Sequence, residues 1–279
     1  MSRIIVGIDG SENSQLALRW AVTRAETTGD EVVAVLAWSF FDQGQLPPGA
    51  SMKPEFTDDD AQQVLAKAVD AAGVTEKVRR HTIHDPAPEG ITDYARPDDL
   101  IVVGARGLGG FKGLLLGSVS QRILELAPCP VAVIRLDTHE VRDGEIVVGI
   151  DGSDVSMRAL HWAADEASRT GAPIRIVHAW QWPMFAEIAV PEVYEALAKN
   201  AADLLAEAAA DPSLAGTTVE VEAVNGGAAQ SLLAHDDYAR MFVVADRGRG
   251  PLKRLVLGST SRQLAQHATA PVVVVRTSD

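Results

Sequence analysis

A single cysteine, Cys129, is all the thiol the 279-residue chain contains. No disulfide can close within it, which suits a reducing compartment such as the cytoplasm. Cys129 stands between Pro128 and Pro130 ahead of an apolar segment, where a small packed filler is the expected role. Positive charge is also short. Against 38 Asp and Glu stand only 25 Lys and Arg, and the formal net charge of −13 argues against a nucleic-acid or anionic-membrane surface. No apolar run approaches the roughly 20 residues that cross a bilayer. Met1-Ser2-Arg3 leads straight into a strand-like segment, so no cleaved leader is expected. Three signatures are missing as well: a G-x4-G-K-[ST] P-loop, a G-x-G-x-x-G turn after the first strand, and a G-x-S-x-G nucleophile elbow.

What is present is a repeat. Ile4-Ile5-Val6-Gly7-Ile8-Asp9-Gly10-Ser11 returns as Ile146-Val147-Val148-Gly149-Ile150-Asp151-Gly152-Ser153. Val102-Val103-Gly104-Ala105-Arg106-Gly107, followed by Leu116-Gly117-Ser118, returns as Val243-Val244-Ala245-Asp246-Arg247-Gly248, followed by Leu257-Gly258-Ser259. So long a period implies two whole domains of one fold rather than a solenoid of short units. We expect domains at residues 1–137 and 145–279, each large enough for its own core, joined by a polar linker at 138–144.

Short apolar runs of buried-strand length occur at Ile4 to Ile8, Val32 to Ala37, Leu100 to Val103 and Val131 to Ile134, with a more polar one at Lys77 to Ile83. Helical stripes lie between them. The first is capped by Ser11 or Ser14 and ended by Gly29; the others are expected at about Asp59 to Ala72, Ile91 to Arg96 and Ser118 to Leu126. The second half repeats the pattern, with an alanine-rich helix at about Glu192 to Ala210. Apolar strands alternating with helices predict an α/β fold, a parallel sheet covered on both faces. Right-handed crossovers with a reversal after the third strand give the order 3-2-1-4-5. Strands one and four then lie side by side, and ligands in such sheets bind at the carboxyl ends flanking the reversal.

Those two ends carry the repeated motifs. The spacing Gly104-x2-Gly107-x9-Gly117-Ser118 leads into the last helix, whose first turn offers N–H donors and a positive dipole end to a phosphate. Arg106 and Lys112 add charge there, as Arg247 and Lys253 do in the second half. Asp9 across the crevice can accept from a ribose hydroxyl or an adenine amino group. Phosphate at one end and nucleoside at the other describe a nucleotide pocket.

V-G-I-D-G-S after the first strand, G-x2-G-x9-G-[ST] after the fourth, and a closing P-V-x-V strand resemble the universal stress protein family, as a tandem pair of its ATP-binding type. The resemblance spans nearly the whole chain. It implies two Rossmann-like domains related to the adenine nucleotide alpha hydrolases, each holding ATP in the glycine loop. In the first, Gly7, Asp9 and the backbone at Ala37 would lie near the adenosine. Gly104, Arg106, Gly107, Gly117, Ser118, Val119 and Ser120 would surround the ribose and phosphates. In the second the matching residues are Gly149, Asp151, Ala179, Ala245, Arg247, Gly248, Gly258, Ser259, Thr260 and Ser261. The family also often pairs domains through the edge strand, here Val131 to Ile134 or Val272 to Val275; in a tandem chain that pairing can run between halves, between chains or both, and the resemblance implies a homodimer with an unidentified regulatory protein as partner. Magnesium is expected as the counterion of the triphosphate, with no carboxylate to name as its ligand.

The second half departs from the motif at Ala245 and Asp246. If position 104 needs a positive φ, alanine at 245 costs about 1 kcal/mol. A carboxylate at 246 about 8 Å from phosphate repels it by on the order of 2 kcal/mol. On these grounds the first domain is expected to bind the more tightly. His81 and His84 beside Asp85 are expected to be solvated rather than metal-bound, His178 to be a satisfied near-core histidine, and Trp20, Trp162, Trp38 and Trp180 to pack, the last two near the adenine end. Phe40 to Phe56 and Gln181 to Pro191 are lid candidates. Three functions remain open: an ATP-dependent regulator with little or no hydrolysis, an enzyme of the adenylyl-transferring ATP pyrophosphatase class, and a dimerisation module that binds nothing. No general base or nucleophile is evident, and the pyrophosphatase pattern S-G-G-x-D-S stands here as V-G-I-D-G-S.

Overall fold

The structure is a computed structural model and describes residues 2–39, 57–108, 115–136, 138, 143–181, 191–248 and 257–276. Nearly all of both lid candidates, and Lys112 and Lys253, lie outside the described residues. The chain divides into two compact units, the second comprising Arg142–Thr277.

In the first unit the elements run β1 (Arg3–Gly7), α1 (Glu12–Thr28), β2 (Glu31–Ala37), α2 (Asp58–Ala71), β3 (Arg79–Ile83), α3 (Ala87–Tyr94), β4 (Leu100–Gly104), α4 (Ser118–Leu126) and β5 (Val131–Ile134). All four strand pairings are parallel: β1 with β2, β1 with β4, β2 with β3, and β4 with β5. The sheet order is therefore 3-2-1-4-5, with the reversal between β1 and β4. Helix α1 packs with α2, and α3 with α4. Right-handed crossovers running in opposite directions from β1 place these pairs on opposite faces. The central strands are sealed on both sides: Ile4, Ile5, Val6, Ile101 and Val102 are fully buried.

The second unit repeats the order: β6 (Glu145–Gly149), α5 (Asp154–Thr170), β7 (Ile174–Trp180), α6 (Pro191–Ala209), β8 (Val219–Asn225), α7 (Ala228–Leu233), β9 (Ala239–Ala245), α8 (Ser259–His267) and β10 (Val272–Val275). Strand β6 lies between β7 and β9, β7 pairs β8, and β9 pairs β10, again all parallel.

The helix ends obey local chemistry. Ser11 caps α1 by accepting from the N–H of Ser14 at 3.2 Å, and Ser153 caps α5 through Ser156 at 3.3 Å. Gly29 and Gly171 end those helices at φ of 72° and 71°, a left-handed conformation that glycine enters without steric penalty. Helix α3 starts at Ala87, ahead of the expected Ile91. Pro88, which lies inside it, would interrupt the middle of a helix. In the first turn, however, the missing N–H has no intrahelical partner to lose, and proline is tolerated.

Candidate functional site

The register brings Val6 opposite Val102 in the first unit and Val148 opposite Val243 in the second, so the repeated turns leave neighbouring strand ends together. Each first turn needs its glycine: Gly10 and Gly152 have φ of 84° and 75°. Asp9 Oδ1 accepts from the N–H of Ser11 at 2.9 Å, and Asp151 Oδ1 accepts from that of Ser153 at 3.0 Å. The aspartate thus braces its own turn and the cap of the following helix.

The same carboxylate also reaches across the crevice. Asp9 Oδ2 accepts from the N–H of Leu108 at 2.9 Å, tying β1's turn to the loop after β4. This explains Gly107: a Cβ there would stand 2.2 Å from Asp9 Oδ2. A Cβ on Gly248 would stand 2.5 Å from Asp151 Oδ2. Neither glycine has a left-handed φ, so close approach rather than backbone freedom selects the residue. A carboxylate has about four lone-pair positions, and two acceptor bonds leave room for a ligand hydroxyl.

The helices after the second turn begin differently from α1 and α5. The cap positions of α4 and α8 are Gly117 and Gly258, and no side chain caps either helix. The first-turn N–H groups therefore face the crevice without the side-chain partner that Ser11 supplies to α1. The N–H of Gly117 donates to Ala105 O and that of Gly258 to Asp246 O, both at 2.7 Å, closing the loop onto the strand end. Ser118 and Val119 are exposed at the mouth, whereas Ser120 is buried and donates its hydroxyl to Gly104 O at 2.7 Å. Ser261 does the same to Ala245 O at 2.6 Å. These two hydroxyls staple helix to strand, a duty that motif matching did not reveal.

Both reasons for ranking the second site lower are corrected. Gly104 lies at the end of β4 without a positive φ, and Ala245 ends β9 in the same extended backbone, so alanine carries no conformational cost. Glycine at 104 is explained by packing: a Cβ there would stand 2.6 Å from Asn13 Cβ on α1. Asp246 does not line the crevice. Its side chain is 1% exposed and lies 3.3 Å from Arg247 Nε and 3.1 Å from Arg276 Nη1, so it meets guanidiniums rather than ligand.

In the second unit the crevice is a cleft of about 340 Å³, and Gly149, Asp151, Ala179, Ala245, Arg247, Gly248, Gly258, Ser259, Thr260 and Ser261 all line it. That volume lies at the lower end of the range typical of small-ligand sites. Its apolar lining includes Val177, Ala228, Leu232 and Val244, none of which was singled out from sequence. Leu232 sits on α7, too short for helical periodicity to expose, and a Cβ on Gly149 would stand 2.8 Å from its Cδ1. In the first unit Ile91 takes the matching place, 3.2 Å from a Cβ on Gly7. There Asp9 and Gly107 meet directly, Gly117 and Ser120 tie the loop to β4, Ala37 ends β2, and Arg106 is half-buried after β4.

The histidines are not simply solvated. His84 stacks on Trp38 at 4.1 Å between ring centroids, and His81 stacks on Tyr94 at 4.5 Å. Burial first, then Arg79 and Arg3, lowers the His81 pKa and favours the neutral ring. His178 Nδ1 lies 2.9 Å from Ile150 O. Among the described residues no three or more of His, Cys, Asp and Glu gather as a metal site, and no helix is long and apolar enough to cross a membrane.

Each unit is a doubly wound α/β domain with two glycine-bearing turns facing each other at its switch point, the class of fold that presents ligands to strand carboxyl ends. The sequence model of the universal stress protein family matches it twice, over residues 1–135 and 144–276. A universal stress protein of Mycobacterium tuberculosis is 33% identical over 297 residues, an alignment covering 99% of this chain and 96% of the relative. One from Mycobacterium bovis is 32% identical over 294 residues, covering 99% and 97%. Among solved structures, a universal stress protein from Archaeoglobus fulgidus superposes with a TM-score of 0.64 at 22% identity, covering 98% of each chain. The chain belongs to the universal stress protein family.

Proposed function

We propose that the protein is an ATP-binding regulator of the stress response, in which nucleotide occupancy sets the position of the glycine loop and hydrolysis is slow or absent. The observation that carries this reading is the second-unit cleft, which gathers all ten residues selected from the repeated motifs into one space of about 340 Å³. Adenosine would lie against Val177 and Leu232, with its ribose toward Asp151. The phosphates would meet the uncapped start of α8 at Ser259 and Thr260, with Arg247 beside them. The first unit would use Asp9, Gly107, Gly117, Ser118 and Arg106 in the same way. Magnesium would accompany the triphosphate as its counterion, held by phosphate oxygens and water. Among the described residues the carboxylates at the two turns, Asp9 and Asp151, are engaged by backbone N–H groups at the nucleoside end, which supports binding over turnover.

Such a regulator acts in the cytoplasm through a protein partner and assembles as a homodimer. Two measurements test the reading. Denaturing the purified protein should release ATP identifiable by mass spectrometry, and incubation with ATP should leave it uncleaved over the time of binding. Release of AMP and pyrophosphate would instead support the adenylyl-transferring class. Calorimetry that detects no adenine nucleotide binding to the intact chain would refute the proposal.

A further inference from the structure

Beside the cleft of the second unit stands a charged group that the nucleotide reading leaves unused. Asp246 is fully buried, and two guanidiniums meet one of its oxygens: Arg247 Nε lies 3.3 Å and Arg276 Nη1 3.1 Å from Oδ2. Its backbone adjoins the start of α8, because Asp246 O accepts the N–H of Gly258, the cap residue of that helix, at 2.7 Å. Arg247 lines the cleft. A guanidinium carries five N–H donors, so Arg247 can keep its bond to Asp246 and still meet a phosphate.

The first unit carries Ala105 at the same place. Its N–H donates to Ile134 O on the last strand and its O accepts from Gly117, just as the N–H of Asp246 donates to Val275 O and its O accepts from Gly258. The arginine that follows the last strand is present in both units. In the first, Arg135 Nη1 donates to Leu115 O of the glycine loop at 3.2 Å. In the second, Arg276 meets the Asp246 carboxylate. An arginine at this position therefore reaches the loop that leads into α4, and in the second unit Asp246 supplies it with a counter-charge.

Two effects of that carboxylate can be told apart by the ligand. Holding Arg247 in place helps every nucleotide whose first phosphate meets it, and to the same degree. Cancelling one of the two guanidinium charges weakens the attraction for each phosphate charge in turn, so this effect grows from AMP to ATP. Burial keeps solvent and salt from screening the carboxylate as they would screen one on the surface. Resting on the nucleotide reading and its placement of phosphate beside Arg247, we infer that Asp246 sets the phosphate-number preference of the C-terminal site. It touches no ligand. It acts through Arg247 and Arg276, holding the preference for triphosphate below what the two arginines alone would impose.

The test uses the full-length chain carrying Gly117→Glu, so that the C-terminal cleft reports. It is titrated calorimetrically with AMP and ATP in magnesium-free buffer, where ATP keeps its full excess of charge. Asp246→Asn, which keeps the shape of the side chain and removes its charge, should raise the ratio of ATP to AMP affinity about tenfold. The rise should shrink as ionic strength increases, which a purely structural role would not produce. Arg276→Gln, which leaves Asp246 with one guanidinium fewer, should lower the same ratio about tenfold. Combining Asp246→Asn with Arg276→Gln restores the original charge and should restore the ratio. The double variant also removes a guanidinium that loss of the carboxylate strands, which guards against misfolding of the single one. A ratio that stays fixed, whether or not both affinities fall together, or one that moves the opposite way overturns the inference and leaves the nucleotide reading standing. Failure of the unsubstituted chain to bind either nucleotide overturns both.

Discussion

At Gly107 the cost of a single methyl group can be placed on one bond. A Cβ there would stand 2.2 Å from Asp9 Oδ2, so Gly107→Ala must push the carboxylate away and break its bond to the N–H of Leu108. Losing one charge-assisted hydrogen bond corresponds to about 1.5–3 kcal/mol, so nucleotide affinity of the first unit should fall by about 10- to 100-fold in calorimetry. Unchanged affinity would separate the clasp from the binding site. Gly117 is a different case. Its φ is −74°, and an added Cβ would meet only ordinary contacts, the nearest being Ala105 O at 3.4 Å. Gly117→Glu should therefore fold with a near-native circular dichroism spectrum while placing a carboxylate where phosphate is proposed, and binding in that unit should vanish.

Between elements, the decisive contacts are short and buried. Ser120→Ala removes the donor to Gly104 O from a buried site and should lower stability by about 1–2 kcal/mol, read as an earlier thermal transition of the first unit. The turn at Pro212–Leu214 is fastened by Asp211, which accepts from Ser213 N–H at 2.9 Å and lies 2.9 Å from His161 Nε2. The His161 bond first, then those from Ser213, hold the Asp211 pKa down at about 2. A depressed carboxylate pKa adds stability that is complete above the unfolded value near 3.9 and is lost as pH falls toward about 2. Urea unfolding between these limits should thus show a shallower pH dependence for Asp211→Asn than for the unsubstituted protein; identical slopes would remove Asp211 from the account.

The elements themselves were largely readable in the sequence because strands buried on both faces are short apolar runs, and Ser11, Gly29 and Pro128 mark helix ends chemically. Helix α3 was placed late because its first turn, Ala87-Pro88-Glu89-Gly90, carries no apolar periodicity. Helix α7 escaped because six residues hold less than two turns of periodicity. The motif glycines were legible as a set, but not their reasons. Gly107 answers to a carboxylate from another strand, Gly104 to the flank of α1, and Asp246 to a guanidinium at the far end of β10. Each is a contact between residues distant in sequence, which spacing within one segment does not encode.

Over the whole chain, duplication makes occupancy countable. If both clefts bind, the unsubstituted protein should take up about two nucleotides per chain, Gly117→Glu and Gly258→Glu one each, and the double variant none. A single nucleotide bound by the unsubstituted chain, lost in only one variant, would assign all binding to one unit. The bond between Asp9 and Leu108 gives this arithmetic a mechanical side. A ribose hydroxyl at Asp9 would take a lone pair that the bonds from Ser11 and Leu108 leave open, so guest and backbone can hold one carboxylate together. The aspartate would then be a rivet, joining guest, first turn and second turn at a single group.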